Sequence, residues 1–573
     1  MTTRYPPDTG RRRFVQALAL GATALALRPR AAGALDTAPA PAVLTGNEFD
    51  LRIGVLPVNI TGRERQAIAV NGSVPAPTLR WREGETVTIR VTNALDEPTS
   101  IHWHGLLVPA AMDGVPGLGF PGIAPGETFT YRFPVVQSGT YWYHSHSGLQ
   151  EQLGLYGALV IEPRDEAPDP AAIDHVVVLA DWTDEDPHRM LGRLKKQPDY
   201  YNFRQRTVAD FLRDIRQDGL RATLAERAGW GAMRMNPTDL ADVSGYTYTY
   251  LVNGLAPATN WTGLFRPGEP VRLRLVNAAA MTLFDVRIPG LALTVVAADG
   301  QPVRPVTVDE LRIGNAETYD VVVTPPEDRA YTLFAQSLDR TGFARGTLAP
   351  RPGMTAPVPA PDPRVMLGMA DLGHAAHADH SMHAGHAMPA AAPGIHHAPT
   401  ESSPWVDMRV DDPSPRLDDP GIGLRDNGRR VLTYADLATP GGDPDGREPG
   451  RTIELHLTGN MERYSWSFDG QRAAEAGPVR LELGERVRLL LVNDTMMDHP
   501  VHLHGMWSDL EDEAGRFKVR KHTVVVQAGH RVAVRVTADA PGAWAFHCHL
   551  LLHMETGMFR TVLVGEAGEV QHG

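Results

Sequence analysis

One short pattern recurs three times along this chain, and it dictates the class of fold. Glu83-Gly-Glu-Thr-Val-Thr-Ile-Arg-Val-Thr-Asn93 returns as Pro267-Gly-Glu-Pro-Val-Arg-Leu-Arg-Leu-Val-Asn277, and again as Leu483-Gly-Glu-Arg-Val-Arg-Leu-Leu-Leu-Val-Asn493. In each copy a Gly-Glu turn opens a run of alternating character, the period-2 signature of a half-buried β-strand. A second turn signal precedes each copy, at Asn71-Gly72, Asn253-Gly254 and Asp469-Gly470. The copies begin 184 and then 216 residues apart, a spacing that suits β-sandwich domains with insertions. The chain is therefore expected to be all-β, with three sandwiches at 46–165, 172–350 and 403–568.

Two stretches depart from the sandwich pattern. Val208, Phe211, Leu212 and Ile215 have the spacing of an amphipathic helix, which predicts a helical insertion in the second domain at about 184–245. Residues 351–402 are rich in Pro, Ala, His and Met without apolar periodicity, and read as a flexible linker.

The first 34 residues read as an address rather than as structure. Arg11-Arg12-Arg13 precedes an apolar run from Phe14 to Leu27 and a small-residue site, Ala32-Gly33-Ala34. This resembles twin-arginine signals, which implies export by the Tat machinery into a bacterial periplasm. The run is shorter than the ~20 apolar residues that span a bilayer, so no stable membrane insertion is expected.

Charge and cysteine content remove several functional classes. Lys plus Arg total 55 against 68 for Asp plus Glu, a net charge of −13 with no long basic run, so nucleic acid is not an expected partner. The single cysteine, Cys548, excludes an intramolecular disulfide framework, a Cys-rich zinc site and a Cys-ligated iron–sulfur cluster.

Histidine carries the chemistry. Four His-x-His pairs occur, at His102/His104, His144/His146, His502/His504 and His547/His549. On a strand, residues i and i+2 face the same way, so each pair offers two imidazoles side by side to a metal. The pairs fall only in the first and third repeats; the matching stretch of the second, Tyr331-Thr-Leu-Phe-Ala-Gln336, has none. A cluster between the first and third domains, with four imidazoles from each, is the expected result. The third repeat adds His499, Cys548, His553 and Met558: two imidazoles, a thiolate and a thioether, the ligand set of a blue copper site. Cys548 and its neighbours His547 and His549 point to opposite faces of one strand, which joins the two centres by short covalent routes.

These motifs resemble those of the multicopper oxidases, three-domain cupredoxin proteins that oxidise a substrate at type 1 copper and reduce O2 to water. By motif position, the resemblance implies type 1 ligands at His499, Cys548, His553 and Met558. It implies type 2 ligands at His102 and His502, and type 3 ligands at His104, His144, His146, His504, His547 and His549. Four coppers are implied in all. Asp113, between the first two pairs, matches the acid that serves proton delivery near the cluster in related oxidases.

Three stretches resemble the periplasmic copper-resistance branch: Met112-Asp-Gly-Val-Pro-Gly117, Gly139-Thr-Tyr-Trp-Tyr-His-Ser-His-Ser-Gly148, and Met233 through Tyr250 beside the helical insertion. That branch implies oxidation of Cu(I) to Cu(II). The linker fits copper handling on its own terms. His374, His377, His380, His383 and His386 recur every third residue among Met366, Met369, Met382 and Met388, and thioether and imidazole bind both oxidation states. Additional copper is expected there. Met554, next to His553, is the leading candidate for receiving Cu(I), ahead of Met233, Met235, Met496 and Met497. The competing substrates are phenols, as in laccases, and the competing role is copper sequestration. A helical or Met-bearing cover over His553 would favour Cu(I), and an open cleft would favour phenols. A monomer is expected.

Overall fold

The computed structural model describes residues 41–165, 173–373 and 395–566. All three copies of the repeated pattern form the same piece of structure. The turn glycines Gly84, Gly268 and Gly484 have φ of 86°, 82° and 83°, a region that disfavours any side chain. The strands Thr86–Asn93, Val271–Asn277 and Arg486–Asn493 follow. Each pairs in parallel with an earlier strand, Glu48–Asn59, Ile173–Trp182 and Arg451–Asn460 respectively. Both residues of each upstream dipeptide have positive φ, as a type I′ hairpin turn requires.

Each repeated strand ends on a fully buried asparagine, Asn93, Asn277 or Asn493. The amide NH2 of each donates to two backbone carbonyls: Glu97 and Ile123, Thr282 and Ile313, or Met497 and Val526. Its Oδ1 accepts the backbone N–H two residues on, at Leu95, Ala279 or Thr495. A buried amide satisfied on both sides fixes the loop that follows it. In the third copy that loop leads into His499.

Two sheets form around each repeat: four and five strands in the first domain, six and five in the second and third. The second and third domains share one strand order throughout. This all-β architecture agrees with the reading from the repeats.

The helical insertion lies between the strands Ile173–Trp182 and Thr249–Val252. It comprises α1 (Pro187–Leu194), α2 (Val208–Asp218) and α3 (Leu220–Ala232). Asp186 caps α1, and Thr207 with Asp210 forms a capping box on α2. The apolar stripe on α2 is only half covered: Phe211 and Ile215 are half-buried while Val208 and Leu212 are exposed.

The stretch 351–402 is more structured than its composition implies. Leu367 and Leu372 are buried, Met369–Leu372 forms a 3₁₀ turn, and Asp362 pairs with Arg287 at 3.1 Å. These few anchors tie the chain down, a detail that averaged composition hides. The linker reading therefore applies at most to 374–394, which lies outside the described residues. With it lie His374, His377, His380, His383, His386 and Met382, and likewise the signal at 1–34.

Residues 403–450 belong less to the third sandwich than expected, because its first strand starts at Arg451. This stretch holds to both domains: Val410 donates its N–H to Asp494 and Asp443 meets Arg486 at 2.8 Å in the third, while other residues reach the second. Arg429 Nε reaches Glu310 at 2.6 Å, and the Tyr434 hydroxyl donates to Glu317 at 2.7 Å. Among the described residues, no helix is long and apolar enough to cross a membrane.

Candidate metal centre

The eight paired histidines meet between the first and third domains. His102 faces His144 across the antiparallel strands His102–His104 and Gly139–His144, and His502 faces His547 across His499–Leu503 and Gly542–Cys548. Only some pair members lie within the strands; His504 and His549 directly follow strand ends, and His146 lies two residues past one. The rings still sit side by side, with centroids 5.6, 6.0, 4.6 and 5.5 Å apart within the four pairs. Across the interface, His102 stacks on His504 at 3.9 Å and His104 on His502 at 3.8 Å.

Donor atoms gather in three groups, the first two sharing His104: His102, His104 and His502; His104, His144 and His549; His146, His504 and His547. In the last group, His547 Nε2 lies 3.3 Å from His146 Nε2 and 3.0 Å from His504 Nε2. Two nitrogens at ~2.0 Å from one metal, at a tetrahedral angle, stand roughly 3.3 Å apart. The spacing is thus that of ligands about a common ion.

The opposite ring nitrogens are held. His102 Nδ1 lies 2.8 Å from the Asp113 carbonyl, His502 Nδ1 2.6 Å from the His522 carbonyl, and His547 Nδ1 2.9 Å from the Cys548 carbonyl. His144 Nδ1 meets Glu151 at 2.7 Å, and His504 Nδ1 meets Asp113 Oδ2 at 2.8 Å. Such partners fix ring orientation and tautomer, leaving the other nitrogen free for a metal. His102 Nε2, His104 Nδ1, His144 Nε2, His502 Nε2 and both nitrogens of His549 are buried without a hydrogen-bond partner among the described residues. Buried polar atoms are rarely left so, and here they fit a metal-binding role. Burial, reinforced by the other imidazoles, pushes His104, His144, His146, His502, His504 and His549 well below the ordinary histidine range, so these rings are neutral, the form a metal requires.

A second centre lies on the far face of the same strand. Cys548 Sγ is 3.5 Å from His499 Nδ1 and 3.9 Å from His553 Nδ1, and the two nitrogens are 3.2 Å apart. That triangle is the His2Cys arrangement of a blue copper site. Met558 is fully buried, and its carbonyl accepts the Cys548 N–H at 3.2 Å. Burial raises the Cys548 thiol far above its usual pKa, so thiolate formation there depends on a cation. The Thr495 hydroxyl lies 2.7 Å from His499 Nε2.

His553 is completely covered. Its Nε2 meets Asp242 Oδ2 at 2.7 Å, the Tyr464 hydroxyl donates to the same oxygen at 2.9 Å, and Trp466 stacks on the ring at 3.8 Å. Asp242 belongs to the stretch that leaves the helical insertion. Its Oδ1 is buried with no partner among the described residues, and Asp239 lies beside it. Burial, with the charge of Asp242 added, drives the Asp239 carboxyl well above the carboxylate range. Asp239 also lines an open cavity of about 520 Å³ together with Met235, Trp230, Met461 and Glu462.

Every histidine singled out in the described sequence, with Cys548, thus falls into one of the two centres. The methionines divide differently. Met496 and Met497 are buried in the core, and Met554 is a half-buried packing residue against it, whereas Met235 reaches the cavity. Sequence reasoning missed Asp242, Tyr464 and Trp466 at one centre and Glu151 and His522 at the other. No local pattern marks them, since Asp242 and His553 are 311 residues apart.

Comparison with known proteins agrees with this geometry. Three family profiles, each described as multicopper oxidase, match residues 53–166, 174–352 and 446–568. The chain is 57% identical to Copper resistance protein A of Escherichia coli, over 97% of this chain and 99% of that one. It is 58% identical to a Copper resistance protein A homolog of Pseudomonas syringae pv. tomato, over 98% and 100%. Among solved structures, Fet3p, a multicopper oxidase that functions in iron import, has the same fold with a TM-score of 0.64 at 21% identity, covering 91% of this chain and 90% of that one. The chain belongs to the multicopper oxidase family, among its copper-resistance oxidases.

Proposed function

We propose that this oxidase takes Cu(I) as its substrate, one electron at a time, beside His553. The family carries four coppers, and the two centres described above are compatible with that complement. In the proposed assignment, His499, Cys548, His553 and Met558 hold type 1 copper, His102 and His502 hold type 2, and the other six paired histidines hold the type 3 pair. Bound there, the coppers supply one-electron acceptance at one end and four-electron reduction of O2 to two waters at the other. The balanced reaction consumes four Cu(I), one O2 and four protons.

The chain's own residues account for the rest. The observation that carries the reading is the cover on His553. Asp242 occupies the ring edge that a phenol would have to reach, and its second oxygen is unpartnered among the described residues. A cation there would offset the repulsion from Asp242 that helps hold Asp239 well above the carboxylate range, and the adjoining cavity is lined by Met235 and Met461. Soft sulfur favours Cu(I) over hard cations. The arginines that line the cavity are each paired: Arg206 with Glu226, Arg227 with Asp214 and Arg234 with Asp407.

His547 and His549 flank Cys548 in the chain, which gives the electron a short covalent route between the centres. Asp113 lies 2.8 Å from His504 and 3.3 Å from His102, and its Oδ1 is otherwise unpartnered among the described residues, which suits it to orient both rings and move a proton beside them. The N-terminal sequence supports Tat export and a periplasmic site of action, and a monomer is the proposed state.

Oxygen uptake with a stabilised Cu(I) complex, run beside 2,6-dimethoxyphenol, tests the proposal. Rapid uptake at four Cu(I) per O2 with little phenol turnover is expected. Fast phenol turnover without Cu(I) oxidation would overturn it in favour of a laccase. No uptake with either would leave copper sequestration as the role.

A further inference from the structure

A second cluster of metal-ligating side chains lies outside both centres. Residues that follow the His/Met-rich stretch supply His397 and Glu401, the latter in the 3₁₀ turn Pro399–Ser402. The third domain supplies His456, on the strand Arg451–Asn460, and Asp494, directly after the strand Arg486–Asn493. The donor atoms of these four residues all lie within 4.8 Å of one another. His456 Nδ1 is 2.6 Å from Asp494 Oδ2 and 3.5 Å from Glu401 Oε2. His397 Nδ1 is 2.7 Å from Glu401 Oε2 and 3.7 Å from Asp494 Oδ2.

The backbone holds this arrangement in place. Asp494 Oδ1 accepts the Val410 N–H, Glu401 Oε1 accepts the Ala398 N–H, and Asp469 fixes the backbone of His456. Glu401, His456 and Asp494 are each no more than 2% exposed. His397 Nε2 is buried with no hydrogen-bond partner among the described residues.

We infer that His397, Glu401, His456 and Asp494 form a further binding site for a divalent transition cation. Two imidazoles and two carboxylates, with no sulfur, suit Cu(II) or Zn(II) and disfavour Cu(I). The short nitrogen–oxygen contacts hold protons that a cation at the centre displaces. One divalent ion would take over from those protons the neutralising of two carboxylates in a low-dielectric region. The site takes the oxidation state that a cuprous oxidase produces. Its ligand chemistry stands independently of the substrate reading above.

The test counts ions on the full-length, copper-loaded oxidase. Wild type, His397→Ala and Glu401→Gln are each equilibrated with Zn(II), with Cu(II), or with an equimolar mixture, then desalted and analysed for metal. Wild type is expected to retain one more ion per chain than either variant, with turnover unchanged. X-ray absorption at the zinc edge should report nitrogen and oxygen donors only. The mixture identifies the preferred ion, and selective retention of either supports the site. Equal retention by wild type and His397→Ala, whose side chain lies at the rim, would overturn the inference and place all extra metal elsewhere in the chain.

Discussion

The second and third domains run the same strands in the same order and put them to opposite uses. In the third, Val501 pairs with Cys548 and His502 with His547. In the second, the equivalent positions pair Val286 with Ala335 and Arg287 with Phe334. The first domain repeats the histidine version, with His102 opposite His144. Where the third domain places His502, the middle one buries Arg287 against Glu310 at 3.0 Å, and on the same strand Asp285 against Arg312 at 2.8 Å and Arg340 at 2.7 Å. One strand pair can therefore hold a metal or hold an ion pair, and side chains alone decide which. Both solutions bury polar groups; they differ in whether the compensating charge is part of the chain.

Substitutions on the corresponding strands separate the two uses. Cys548→Ser should abolish the blue absorption and cut turnover by about three orders of magnitude, the scale of losing one member of a unit that acts together. A change at the end of the corresponding middle-domain strand, Ser337→Ala, removes a hydroxyl bonded to Asp339 and should cost only ~1 kcal/mol, with turnover intact. Steady-state oxygen uptake and absorption spectra of both variants check the contrast, and equal losses would break it.

Asp285→Ala strands two buried guanidinium groups and should destabilise by about 3–5 kcal/mol, read by thermal unfolding, while the copper spectrum stays unchanged. Asp113→Asn should slow O2 reduction by roughly 10- to 100-fold with the blue colour retained, because it weakens the hold on His102 and His504. Single-turnover reoxidation of the reduced protein measures it, and unchanged turnover would remove Asp113 from the mechanism. Asp242→Ala should lower Cu(I) oxidation about tenfold, the rate equivalent of ~1.4 kcal/mol, and raise phenol turnover by uncovering His553. The ratio of the two activities is the readout. Deleting 374–394 should change turnover less than about twofold, since Leu367 and Leu372 keep their core positions. Copper retained per chain should fall, which isolates the sequestering contribution.

The sequence made the repeats and the ligands legible because each is written locally. A Gly-Glu turn with an alternating strand declares itself within eleven residues, and His-x-His within three. Asp242 carries no such mark: it is an ordinary aspartate until the insertion folds back over His553. His397 and His456 were equally silent, since neither belongs to a pair and their shared chemistry exists only in three dimensions. The packed ends of 351–402 were obscured for another reason. Two leucines in a Pro- and Ala-rich background have no period to detect.

The histidine cluster is assembled from the two ends of the chain, with His146 and His547 separated by 401 residues. A polypeptide that stops short of the last sandwich therefore owns four imidazoles and lacks their four counterparts. Metal loading at this interface is in effect an inspection of the finished product: only a chain synthesised to its final strands, and closed upon its first domain, can pass it.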